Sequence, residues 1–198
     1  MLIYFSSALL SSSAIWIYFG LAILSILAAI TYTVGKSAYG YFGLGDLMVF
    51  LFFGFLSVIG VFGLYGESFR WILIFPSVTI GLWSTAVLNL NNMRDIDNDR
   101  DSEKRTLVVF MGAKNARYYH SFLIIFGFLS WFFFIAKLFI HDQNGFLCLA
   151  LIPSFWIFRH LKKVFLIKDS IYFDGELKKV ALVTFFSSLI LAITLFLT

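Results

Sequence analysis

The stretch NNMRDIDNDRDSEKRT, residues 91–106, is the most highly charged part of the sequence. Five of the eleven acidic residues of the chain fall within nine of its positions, and basic residues lie among and beside them. Apolar runs long enough to cross a lipid bilayer lie on both sides. Carboxylates this dense beside a membrane need compensation from neighbouring bases or from a bound cation. We therefore expect the rest of the chain to hold this stretch, the acidic patch, at a membrane surface beside an apolar cavity.

The composition places the chain in a lipid bilayer. Of the 198 residues, 61% are hydrophobic and only 13% are charged, and the mean hydropathy is +0.92. A soluble globular domain is about half apolar and a quarter charged. The sequence therefore predicts an all-α, polytopic transmembrane helix bundle, forming one domain over residues 1–198 and having no nucleic-acid partner. The single cysteine, Cys148, excludes a disulfide framework and a cysteine metal site.

Six apolar segments are long enough to span a bilayer, which takes about 20 helical residues. They cover residues 14–34, 46–65, 71–90, 118–140, 146–165 and 180–198. Residues 1–13 are apolar but too short to cross, and we expect them to be the end of a partial helix in an N-terminally incomplete chain. The absence of any basic residue before Lys36 argues against a signal peptide.

The basic residues predict the orientation of the bundle. If residues 91–117 face the cytoplasm, alternation of the spans puts residues 35–45 and 159–179 on the same side. These three segments contain thirteen of the fifteen Lys and Arg residues, and only Arg70 and Lys137 fall on the other side. By the positive-inside rule, we expect a multi-pass protein of the bacterial inner membrane whose acidic patch is cytoplasmic.

The spacing within the acidic patch is typical of a site for a divalent cation. Asn91, Asp95 and Asp99 recur every fourth residue and would share one stripe of a helix. Mg²⁺ suits such a stripe, because it takes one or two carboxylates and completes its shell with water and phosphate oxygens. An EF-hand loop starting at Asp95 would need Gly and Glu where the sequence has Arg100 and Thr106. A solvated loop whose charges satisfy one another remains an alternative.

Two long segments resemble one family. AVLNLNNMRDIDNDRDSEKRTLVVFMGAKNARYYH, residues 86–120, follows the pattern NNxRDIxxDxxxxKxTLxVxxGxxNARxYH of the UbiA superfamily of intramembrane aromatic prenyltransferases. TYTVGKSAYGYFGLGDLMVFLFFGFLSVIG, residues 31–60, is similar to the loop and helix that precede that pattern. Within the superfamily, the resemblance is to the branch that prenylates 1,4-dihydroxy-2-naphthoate in menaquinone synthesis.

The resemblance implies a fold, a cofactor and a site. The family fold is a bundle of nine helices around a cavity open to the cytoplasm, in which two aspartate-rich motifs hold Mg²⁺ and the diphosphate of a polyprenyl donor. By this resemblance, the metal ligands are Asn91, Asp95 and Asp99, and the two aspartates are the catalytic residues. The residues that would bind the diphosphate are Arg94, Lys104, Arg105, Lys36, Tyr32 and Tyr39.

The family's first aspartate-rich motif has no counterpart in this sequence, since the resemblance begins inside the family's third helix. We therefore expect a fragment with impaired activity. The resemblance implies transfer of a polyprenyl chain to 1,4-dihydroxy-2-naphthoate with loss of the ring carboxylate. A related enzyme with another acceptor, such as 4-hydroxybenzoate, and a truncated membrane protein without activity both remain alternatives.

Polar residues outside the acidic patch have simpler interpretations. Asp46 begins an apolar span, where a cap of the helix N-terminus is the expected role. His120, His141 and His160 lie near the ends of different spans without the spacing of metal ligands, and we expect them to lie at the membrane interface. Gly54 recurs with other glycines at a spacing typical of closely packed helices.

Overall fold

The structure is a computed structural model that describes residues 12–34, 38–66 and 68–197. Lys36 and residues 1–11, which make up most of the predicted partial helix, lie outside the described residues. The helices are α1 (Ser12–Thr33), α2 (Gly45–Leu64), α3 (Ile74–Arg94), α4 (Ile96–Asp101), α5 (Leu107–Asp142), α6 (Trp156–Leu166) and α7 (Phe173–Phe196). Short 3-10 turns precede several of them, and the described residues contain no strand.

Six segments are long and apolar enough to cross a membrane, which confirms the predicted all-α bundle of six spans. They are Ala14–Tyr32, Gly45–Leu64, Trp71–Arg94, Leu107–Asp142, Gly145–Leu166 and Ser170–Phe196. The chain is therefore a multi-pass membrane protein.

The fourth span starts earlier than the sequence predicts. α5 has 36 residues, which at 1.5 Å each would run about 54 Å, against about 30 Å for the hydrocarbon core of a bilayer. Gly112 interrupts it with a φ of 78° and a ψ of 159°, so that a short segment, 107–111, precedes the long one, 113–142. A left-handed φ costs little only at glycine, which is why this residue can make the break.

Close packing of α2 on α3 depends on glycine. α2 is π-helical over Phe50–Gly60. A Cβ on Gly54 would lie 2.6 Å from the Ser77 carbonyl oxygen and 2.9 Å from the Gly81 Cα. The predicted close packing at Gly54 is thus confirmed, since a larger side chain would force the two helices apart.

α3 is the central helix of the bundle and carries several buried polar side chains. It packs against α2, α5 and α7, and its Trp83, Ala86 and Leu90 are fully buried. Three of its hydroxyl groups, those of Ser77, Thr79 and Thr85, donate to carbonyls within the bundle: Thr79 Oγ1, for example, lies 3.0 and 3.1 Å from the Phe75 and Gly127 carbonyl oxygens. α3 thus places polar side chains in the core, and the acidic patch begins at its C-terminal end.

The loops at this end of the bundle meet one another. The Arg105 backbone N–H donates to the Tyr41 carbonyl at 3.0 Å, which joins the acidic patch to the connection between α1 and α2. Arg117 Nη2 donates to the Ile167 carbonyl at 2.7 Å, which joins α5 to the connection between α6 and α7. We call this the loop end of the bundle.

Candidate functional site

The acidic patch begins as a continuation of α3. Asp95 has a φ of −97° and a ψ of 11°, which separates α3 from α4. The helical hydrogen bonds nevertheless run across the break, from the Asp95 N–H to the Asn91 carbonyl at 3.0 Å and from the Asp99 N–H to the Asp95 carbonyl at 2.8 Å. Thr106 then starts α5, because its hydroxyl accepts from the Val109 N–H at 3.2 Å. The three predicted metal ligands therefore remain one turn apart along the chain.

Arg94 organises the first half of the patch. Its Nε and Nη2 donate to the two carboxylate oxygens of Asp95, both at 2.8 Å, which is a bidentate pair. Nη2 also donates to Asn91 Oδ1 at 2.8 Å, and Nη1 donates to Asp174 Oδ1 on α7 at 3.2 Å. We call these four residues the Arg94 cluster. The hydrogen bond from Arg94 holds the pKa of Asp95 below its usual range, so the carboxylate is ionised at neutral pH.

Asp99 and Lys104 form a second, more deeply buried pair. Asp99 is only 4% exposed, and its Oδ1 accepts from Lys104 Nζ at 3.0 Å. The Lys104 backbone N–H also donates to the Asp99 carbonyl at 2.8 Å, which curls the chain around the carboxylate. Asp99 Oδ2 is buried and has no hydrogen-bond partner. A buried carboxylate oxygen without a donor is costly unless a cation or a ligand meets it.

The other charges of the patch face solvent. Asp97 and Arg100 pair at 3.2 Å with side chains that are 82% and 58% exposed. Asp101, Glu103 and the Arg105 side chain are exposed as well. The solvated-loop interpretation describes this outer part of the patch but does not account for Asp99.

The two tyrosines of the predicted diphosphate segment line a cavity. Tyr32 and Tyr39 pack edge to face with ring centroids 5.4 Å apart, and the Tyr39 hydroxyl donates to the Ala28 carbonyl at 2.8 Å. They line a mainly apolar cavity of about 360 Å³ between α1 and α2, together with Gly45, Met48 and neighbouring residues. Among the described residues, no hydrogen bond joins either tyrosine to the predicted metal ligands.

The donor chemistry of the patch fits part of a magnesium shell. Asn91, Asp95 and Asp99 offer amide and carboxylate oxygens, the ligands that Mg²⁺ prefers, and Asp99 Oδ2 is free of other partners. In the part of the chain that the structure describes, no three His, Cys, Asp or Glu residues form a group that could hold a metal by themselves. The arrangement fits an ion that takes its remaining ligands from water and phosphate.

The expectation for two of the histidines is wrong. His120 on α5 and His160 on α6 are 0% and 4% exposed, and their Nε2 atoms lie 2.7 Å apart. His160 Nδ1 lies 2.8 Å from Glu176 Oε2, and the other oxygen of Glu176 meets Lys179 at 2.7 Å and Lys163 at 2.9 Å. We call His120, His160 and Glu176 the histidine chain. Because its members are 40 and 16 residues apart on three helices, no local spacing could reveal it.

Asp46 lies at the N-terminus of α2, as expected, but it is not the cap residue. Asp46 lies within the first turn of α2, and the residue at the cap position, Leu44, makes no capping hydrogen bond through its side chain. Asp46 is 6% exposed, and its carboxylate interacts electrostatically with the Tyr119 hydroxyl of α5. The side chain is therefore buried within the bundle, where its Oδ2 has no hydrogen-bond partner.

Comparison with known proteins assigns the family. Residues 1–170 match the UbiA prenyltransferase family. The chain is 42% identical over 166 residues to the 1,4-dihydroxy-2-naphthoate octaprenyltransferase of Escherichia coli, covering 80% of this chain and 48% of that protein. It is 48% identical over 112 residues to the protein of the same name from Haemophilus influenzae, covering 57% of this chain and 36% of that protein. The Mycobacterium tuberculosis protein of that name is 36% identical over 127 residues, covering 63% of this chain and 42% of the relative.

The chain spans about half the length, or less, of these curated relatives. No solved structure matches it. The family match covers most of the chain and includes α3, the acidic patch and the cavity between α1 and α2. The chain therefore belongs to the UbiA prenyltransferase family.

Proposed function

We propose that this chain, alone or within a longer protein, transfers a polyprenyl chain from polyprenyl diphosphate to 1,4-dihydroxy-2-naphthoate in menaquinone biosynthesis. The family match and the names of its relatives support the reaction class. The observation that carries the proposal is Asp99, a buried carboxylate with one unpartnered oxygen, one turn beyond the Arg94 cluster. We place the acidic patch on the cytoplasmic side of the inner membrane, as the basic residues predict.

The acidic patch would bind the diphosphate of the donor. Asn91, Asp95 and Asp99 would hold Mg²⁺, which when bound supplies positive charge that stabilises the departing diphosphate. Arg94 and Lys104 each pair with one of these carboxylates in the structure. Once a cation takes over that role, both basic side chains are available to hydrogen-bond phosphate oxygens.

Four further side chains complete the proposed donor site. Arg105, whose backbone N–H joins the loop end, would add positive charge there, and Lys36 would add another by the family resemblance. Tyr32 and Tyr39 lie at the cavity between α1 and α2, where a phenol can meet phosphate while the ring packs on the first isoprene unit. The mainly apolar lining would hold part of the prenyl chain and exclude water that would otherwise quench a cation-like allylic carbon.

The chemistry requires charge stabilisation more than proton transfer. The bond between the allylic carbon and the diphosphate oxygen breaks, and its electrons leave with the diphosphate. The electron-rich ring carbon that bears the carboxylate attacks the allylic carbon. The carboxylate then leaves as carbon dioxide, and the electrons of its bond restore the aromatic ring. The paired bases at the acidic patch act on the first of these steps.

The proposal can be tested in reconstituted membranes. The purified chain, and a form extended in frame at its N-terminus, are incubated with labelled octaprenyl diphosphate, Mg²⁺ and either 1,4-dihydroxy-2-naphthoate or 4-hydroxybenzoate. We expect a decarboxylated, prenylated product from the naphthoate, and loss of that product in Asp95→Ala and Asp99→Ala. A product from 4-hydroxybenzoate alone would assign the other acceptor. Inactivity of both forms, with Mg²⁺-diphosphate binding unchanged in the two variants, would overturn the enzyme assignment.

A further inference from the structure

A second polar group lies inside the bundle, apart from the acidic patch. Asp46 on the first turn of α2 is 6% exposed, its Oδ2 is buried without a hydrogen-bond partner, and its carboxylate interacts electrostatically with the Tyr119 hydroxyl of α5. Thr85 of α3 donates to the Asp46 backbone carbonyl at 3.3 Å. Residues of three helices therefore meet at Asp46, and one oxygen of its carboxylate has no donor.

Asn89, further along α3, is a second buried side chain without hydrogen-bond partners. It follows Thr85 by four residues and so lies on the same face of α3, one turn nearer the acidic patch. Asn89 is fully buried, and neither its Nδ2 nor its Oδ1 has a hydrogen-bond partner. A buried amide can make up to four hydrogen bonds, and leaving all of them unmade is costly.

We propose that Asp46, Tyr119 and Asn89 form the subsite for the aromatic acceptor, and that they recognise a ring carrying a hydroxyl beside a carboxylate. This inference rests on the function proposed above and names residues for its second substrate. The free Asp46 oxygen and Asn89 Oδ1 accept hydrogen bonds from hydroxyl groups, and Asn89 Nδ2 donates to a carboxylate. Tyr119 holds the Asp46 carboxylate in place, which makes it a positioning residue.

The location suits an acceptor that must meet the donor. Asn89 is two residues before Asn91, the first proposed metal ligand, so the amide lies just inside the bundle from the acidic patch. Gly45, the residue before Asp46, lines the cavity of about 360 Å³ proposed for the prenyl chain. A planar ring bound between the Asn89 amide and this cavity would have the allylic end of the donor on one side and the interior of the bundle on the other.

Acceptor binding can be measured without the reaction. Binding of 1,4-dihydroxy-2-naphthoate to the purified chain in detergent is followed by quenching of tryptophan fluorescence, with no donor or Mg²⁺ present. We expect Asn89→Leu and Asp46→Asn each to weaken this binding about 10- to 100-fold, and Tyr119→Phe to weaken it less. Binding of Mg²⁺ with inorganic pyrophosphate, measured by calorimetry, should be unchanged in all three variants.

Asn89→Leu separates a ligand role from a structural one. If the amide serves only the fold, replacing a buried unsatisfied group by an apolar one leaves naphthoate binding intact while thermal stability stays the same or rises. Equal naphthoate affinity in the wild-type chain and Asn89→Leu would therefore overturn the proposal, as would no naphthoate binding by the wild-type chain. Asp95→Asn is the matched control, which should lose pyrophosphate binding and keep naphthoate binding. If prenyl transfer fails while the naphthoate results hold, the acceptor subsite stands and the proposed reaction does not.

Discussion

The Arg94 cluster and the histidine chain lie near the same end of the bundle but differ in their access to water. The side chains of Arg94 and Asp95 are 30% and 34% exposed, and each has contacts that it can exchange for a ligand. His160 and Glu176 are buried to 97% and 100% of their side chains, and they join α6 to α7. A cluster that is one third exposed can exchange its ion pairs for a bound ion at little cost in free energy. A buried chain cannot, because a charge that loses its partner inside the bundle is left without water. We infer that the first region serves binding and the second holds the helices together.

The largest effect should come from breaking the histidine chain. Glu176→Ala removes the acceptor of His160, Lys163 and Lys179 at once, and we expect the free energy of unfolding to fall by about 3 kcal/mol. Glu176→Gln keeps an acceptor for His160 and should cost less. Unfolding in mixed detergent micelles, followed by circular dichroism, measures both. A loss in Glu176→Ala no larger than that in the exposed variant Asp97→Ala would show that the chain does not hold the helices.

The next effect tests whether the buried carboxylate of Asp99 belongs to the proposed metal site. Asp99→Asn should weaken binding of Mg²⁺-pyrophosphate about 10- to 100-fold, because it neutralises the buried carboxylate that has a free oxygen. Asp97→Asn is the matched control from the same patch, because its side chain is 82% exposed and pairs with Arg100. Calorimetry on the purified chain gives both affinities. Equal losses in the two variants would favour the solvated-loop interpretation, in which the patch attracts cations only through its total charge.

The sequence predicts a region well when the residues that form it are close together along the chain, and poorly when they are far apart in sequence. The six spans follow from hydropathy, since each is continuous in sequence. The resemblance singled out Arg94 and Asp95, and they do pair, because neighbours on a helix end need no long-range contact. Asp174 of the Arg94 cluster is 80 residues from Arg94, and no periodicity predicts that contact. The histidine chain was missed for the same reason, because it exists only once three helices pack.

A smaller effect tests the geometry of the Arg94 cluster. Arg94→Lys keeps the charge but loses the planar fork that binds both oxygens of Asp95 while reaching Asn91 and Asp174. We expect affinity for Mg²⁺-pyrophosphate to fall about 5- to 10-fold, in line with the loss of one bidentate contact. Arg100→Lys changes an exposed ion pair and should alter the affinity less than about 2-fold. If Arg94→Lys binds as well as the wild-type chain, charge alone suffices and the fork has no role.

The smallest effect is the pH dependence of the same cluster. Arg94 lowers the pKa of Asp95 from its ordinary value of 3.8, so their pairing stabilises the folded state fully above that value and is lost as the pH falls through the lower, folded pKa. Because Asp95 is about a third exposed, solvent screens the pair, and we expect less than about 1 kcal/mol in total. The difference in unfolding free energy between the wild-type chain and Arg94→Met should be constant from pH 7 to about pH 5 and then shrink on further acidification. Arg100→Met gives the baseline for loss of an exposed charge. A difference between the wild-type chain and Arg94→Met that persists unchanged well below pH 3.8 would show that Arg94 stabilises the loop end through packing rather than through the Asp95 carboxylate.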